Sequence, residues 1–192
     1  MIKKLVVILV LVIWNLPVQA TESSYPYIYQ GKVQGMVCAF CVYSVSKKIG
    51  SLPEINAKTV NVDLKSKIVN FRSSSKVNYE KLANVFSDSG FKLVELNEVK
   101  EATLKIPEYQ SKPVLSVNLD STNIQKYQAI IESIGEIAAT SMSKLVINAP
   151  EAVEIALLKP MIGGKQKIAR IEYNFEKNKT NIEIKLFLKK DL

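Results

Sequence analysis

The chain has 192 residues, 47% of them apolar and 23% charged, which is the composition of a folded protein rather than a disordered one. It contains no histidine, so Ser-His-Asp and Cys-His nucleophilic machinery and every His-containing zinc site are excluded. The formal charge of +8 falls to +6 once Lys3 and Lys4 are set aside, and the remaining lysines are scattered, without the basic stripe that a nucleic-acid partner would need.

Lys3-Lys4 leads into an apolar run from Leu5 to Ile13, followed by Val18-Gln19-Ala20. A positive start, an apolar stretch short for a membrane span and a small residue at the end describe a secretory signal peptide over residues 1–20, cleaved after Ala20. A periplasmic or secreted protein with no stable membrane insertion is expected. The alternative is an N-terminal anchor left uncleaved, with Trp14 and Leu16 extending the apolar run.

Residues 28–96 alternate between two periodicities. A strand is expected from Ile28 to Val33, then a helix from Cys41 to Leu52 with Val42, Val45 and Ile49 on one face. Val60, Val62 and Leu64 alternate with Asn61 and Asp63, Lys65-Ser66 makes a turn, and Lys67 to Phe71 returns, which predicts a β-hairpin. Asn78 can cap a helix through Ser87 that buries Leu82, Val85 and Phe86, and Gly90 ends it before a last strand, Phe91 to Leu96. The order is β-α-β-β-α-β.

Periodicity lapses over residues 97–112, where charged residues, Pro107 and the following Pro113 mark an expected linker. A second α+β unit follows over residues 113–192. Leu115, Val117 and Leu119 alternate as a strand, residues 124–137 carry a helical stripe of Ile124, Tyr127, Ile130, Ile131, Ile134 and Ile137, and Lys144 to Ile147 is a short strand. Pro150 introduces a helix from Val153 to Leu158 that Pro160 and Gly163-Gly164 should end. Ala169 to Phe175 and Ile182 to Leu188 alternate most clearly of all and predict an antiparallel hairpin, hence an antiparallel sheet. No constellation of chemical groups stands out in this unit.

Both cysteines of the chain, Cys38 and Cys41, lie in one Cys-x-x-Cys between the first strand and the first helix. Unpaired N–H groups and the positive end of the helix dipole favour a thiolate there. Two convergent thiolates suit Cu(I) or Hg(II), whereas Zn(II) would need two further ligands, here carboxylates, water or a partner. The same pair could instead be a structural or regulatory disulfide, or a thiol oxidoreductase site. The last is disfavoured because the only tryptophan, Trp14, is far from the pair. Cys38, in the loop, is expected to be open to solvent, and Cys41, beside the inward-facing Val42, to be more enclosed. Tyr25, Tyr27 and Tyr29 are read as packing.

The segment Gly35-Met36-Val37-Cys38-Ala39-Phe40-Cys41, the apolar spacing at Val45 and Ile49, and Ser89-Gly90-Phe91 together resemble the heavy-metal-associated domain family of copper chaperones, metal-pumping ATPases and the periplasmic mercury-binding protein. The resemblance covers residues 28–96. It implies a ferredoxin-like fold, Cys38 and Cys41 as the ligands of a soft metal ion, Met36 as a buried support of the loop and Phe91 packed nearby. It also implies a non-enzymatic carrier or scavenger whose partners are the ion and a metal transporter or another thiolate-bearing protein. Val37 departs from the family pattern, which has Thr or Ser there, and Phe40 is a bulky residue between the cysteines.

Overall fold

The computed structural model describes residues 24–101 and 107–190, so the expected signal peptide and residues 102–106 of the expected linker lie outside the described residues. The first unit runs β1 (Tyr27–Gln34), α1 (Ala39–Gly50), β2 (Asn61–Asp63), β3 (Ile68–Ser73), α2 (Tyr79–Ser87) and β4 (Lys92–Glu98). Its antiparallel sheet has the order β2-β3-β1-β4. This is the expected βαββαβ, ferredoxin-like arrangement. β4 pairs with β1 as far as Tyr29 opposite Glu98, so the strand continues into the stretch expected to be linker.

Local chemistry sets these boundaries. Asn78 caps α2 by accepting from the Lys81 N–H at 3.0 Å, and Gly90, at φ +78°, takes the left-handed turn that closes its far end. Inside, Val45 and Ile49 of α1 and Leu82 and Phe86 of α2 pack with Val33, Val69, Phe71 and Leu93 of the sheet, all nearly or wholly buried. Tyr29 stacks on Phe71 with ring centroids 5.5 Å apart, and its hydroxyl accepts from the Val77 N–H, the packing role expected of it.

The second unit runs β5 (Leu115–Asp120), a 3-10 segment (Ser121–Tyr127), α3 (Gln128–Ala138), β6 (Ser143–Ala149), α4 (Glu154–Ile162), β7 (Ile168–Phe175) and β8 (Asn181–Leu188). Its strand order is β5-β8-β6-β7, and here one expectation is corrected. β7 and β8 are not partners, because β6 lies between them, parallel to β7 and antiparallel to β8. The sheet is therefore mixed. β6-α4-β7 is a parallel crossover unit, with the helix spanning two neighbouring strands, and the short 176–180 connection steps over β6.

A second correction concerns Pro160, which sits inside α4. The ring removes one N–H from the helix ladder, leaving the Ala156 carbonyl without its usual donor. Met161 and Ile162 beyond it are fully buried, and that burial offsets the loss. α3 and α4 cross closely at Gly135, where a side-chain Cβ would stand 1.8 Å from the Met161 carbonyl oxygen. None of the described helices is long and apolar enough to cross a membrane.

The two cores meet on α1. Val42, Val45 and Ile49 face the first core, but Ala39 and Tyr43 are buried in the second, with Phe40 packed against them. The bulky residue between the cysteines thus fills the junction of the two units. Glu154, only 6% exposed at the start of α4, accepts from the Tyr43 hydroxyl and pairs with Lys47 at 2.7 Å. Arg170 of β7 donates to the Lys58 carbonyl at 2.7 Å.

Candidate metal centre

β1 ends at Gln34 and the chain turns through Gly35, whose φ of +95° is open to glycine and costly for other residues. A side chain there would also press on Phe91, so Gly35 and Phe91 fit together beneath the loop. Met36 is 2% exposed and packed into the first core, which makes it a support of the loop rather than a ligand. Val37 points outward at 66% exposure.

Cys38 is the N-cap of α1 and Cys41 lies in its first turn. Their Sγ atoms converge to 2.6 Å as free thiols, and the Cys41 N–H donates to the Cys38 sulfur at 3.4 Å. The helix suits this arrangement, with no acidic residue in its first turn and Lys47 and Lys48 in its last. Among the described residues, no group of three Cys, Asp or Glu side chains gathers to hold an ion. A cleft of about 540 Å³ lies elsewhere, between the units along Val42, Lys47, Lys58, Arg170 and Phe175.

Both cysteines are half-buried, so the expected difference in enclosure is not what separates them. The difference is electrostatic. Burial pushes the Cys38 thiol up, but hydrogen bonds from the Cys41 side chain and from the N–H groups of Cys41, Gly164 and Phe40 outweigh it and hold the thiol below its ordinary value. Burial likewise raises Cys41, its hydrogen bond to Cys38 raises it further, and the Val37 N–H does not offset them. The two thiols are thus shifted in opposite directions.

Residues 32–92 match the heavy-metal-associated domain. No curated protein matches the chain. The match implies heavy-metal binding in this unit, and such domains are typically metal-binding carriers rather than enzymes. The donor set fits a soft ion: two sulfurs converge, the Cys38 thiol is held below its ordinary value, and the Cys41 N–H points at its sulfur. Sequence reasoning missed the second unit's contact with the cysteine-bearing helix. Ala39 donates its N–H to the Lys165 carbonyl at 2.6 Å. A signal was present in Ala39 and Tyr43, spaced i, i+4 on a helix face separate from Val42, Val45 and Ile49.

Proposed function

We propose that the protein is an exported carrier or scavenger that holds one Cu(I) or Hg(II) ion between the thiolates of Cys38 and Cys41. The convergence of the two sulfurs at the helix N-terminus carries this reading. Among the described residues no third Cys, Asp or Glu gathers with them, which favours an ion content with two sulfurs over Zn(II), which needs four ligands. As the ion binds, each thiol gives its proton to solvent and the backbone donors remain in place to share the thiolate charge. A metal transporter or another thiolate-bearing protein would be the natural recipient, taking the ion by forming a bond to it before both donor sulfurs let go.

The reduced chain should bind one ion, and Cys38→Ser or Cys41→Ser should each abolish tight binding, since one thiolate cannot chelate. At free ion a thousandfold above Kd, binding should raise stability by about 4 kcal/mol. Competition against a chromophoric Cu(I) chelator measures the first outcome and denaturant unfolding the second. The same 2.6 Å approach serves a disulfide, the rival reading. A double Cys→Ser variant that binds as well as the parent, together with parent thiols found oxidised on purification without reductant, would favour that rival. Export follows from Lys3-Lys4, the apolar run and Ala20, and an intact mass beginning at Thr21 is its check.

A further inference from the structure

The first N–H groups of a helix have no partners within it, and beside a thiolate pair they are free to serve the sulfurs. In α1 the first of them is diverted: Ala39 donates to the Lys165 carbonyl at 2.6 Å. That partner belongs to the 163–165 turn that follows α4 in the second unit. That turn is itself well held. Gly163 donates to the Lys159 carbonyl at 3.0 Å, Lys165 N–H to the Ile162 carbonyl at 3.1 Å, and the Lys165 ammonium pairs with Glu136. Gly164 sits at φ +73°. The opposite end of α4 is bolted to α1 as well, through Glu154 to Tyr43 and Lys47. α4 is thus joined to the cysteine-bearing helix at both its ends, and fully buried Ala39 lies under the junction.

We propose that the metal site is composite: the 163–165 turn of the C-terminal unit is part of it, holding the first turn of α1, and with it Cys38 and Cys41, through the Lys165 carbonyl. Ion affinity at the cysteine pair then depends on docking of the C-terminal unit, and by reciprocity a bound ion tightens that docking. This rests on the reading of Cys38 and Cys41 as ion ligands. It gives the second unit a role that its own lack of chemical groups does not suggest.

Two full-length variants test it. Gly164→Pro has no N–H and cannot adopt a positive φ, whereas Gly164→Asn keeps the N–H and tolerates that φ, so it serves as the conservative rescue. Tyr43→Phe combined with Glu154→Ala loosens the docking from the other end without touching the turn. Two readouts are taken: the Kd for Cu(I) by chelator competition, and hydrogen exchange at the Ala39 amide in the metal-free protein. Gly164→Pro and the double variant should each exchange Ala39 faster and bind one Cu(I) about tenfold more weakly, because the first turn of α1 is no longer held. Gly164→Asn should match the parent in both. The proposal is overturned if Ala39 exchange rises while affinity stays unchanged, or if neither variant alters Ala39 exchange. A parent chain that takes up no ion at all would overturn the metal reading itself, and the composite site with it.

Discussion

Two half-buried cysteines at the start of one helix are made unequal first by the hydrogen bond between their own side chains and then by the backbone N–H groups that reach each sulfur. Cys38 collects donors from Cys41, Gly164 and Phe40, and its thiol is lowered, while Cys41 is raised. In metal-free reduced protein Cys38 should therefore be alkylated first, because the thiolate is the nucleophile. Timed labelling with iodoacetamide at pH 7, followed by peptide mass analysis, measures both rates, and faster modification of Cys41 would sink the assignment. The positions of both residues were readable from the sequence, since Gly35 and the helical spacing of Val42, Val45 and Ile49 fix where the helix starts. The origin of the asymmetry was not. One of the donors to Cys38 comes from Gly164, which no local pattern connects to it.

Among the elements, α3 and α4 depend on one another at Gly135, where the Met161 carbonyl occupies the space of a Cβ. Gly135→Ala raises intrinsic helix propensity, yet it must push the helices apart, and the overpacking should dominate with a loss of about 1–3 kcal/mol. Denaturant midpoints of parent and variant check this; an unchanged or raised midpoint would show that the helices can separate freely. Periodicity identified most of the helices and strands, because it reports which side of an element is apolar. It does not report which neighbour covers that side. For this reason β7 and β8, each with clear alternation, read as a hairpin although β6 lies between them. The same limit hid the second face of α1, where Ala39 and Tyr43 look like ordinary helix residues until a second core closes over them.

At the scale of the whole molecule, the Tyr43 hydroxyl is a titratable bolt between the units. Burial, then the hydrogen bond and negative charge of Glu154, hold its pKa well above the ordinary tyrosine value. A pKa raised in the folded state contributes stability that is present below the unfolded value, near 10, and is lost as pH rises above it. Tyr109, pushed up to about 12 chiefly by burial, acts in the same sense. Stability should thus fall between pH 10 and 11, and Tyr43→Phe should make that fall shallower while lowering stability at pH 7. Urea midpoints at pH 7, 10 and 11 give the comparison, and parallel profiles would show that Tyr43 does not bind the units together. The sharing of α1 between two cores also sets an order in time. The chain is made from its N-terminus, so the first unit is complete long before Glu154, Gly164 and Lys165 leave the ribosome. Until then Ala39, Phe40 and Tyr43 form an uncovered apolar strip beside two unprotected sulfurs. The nascent protein therefore passes through a stage in which an oxidisable pair and an uncovered apolar strip adjoin, and arrival of the C-terminal unit covers the strip.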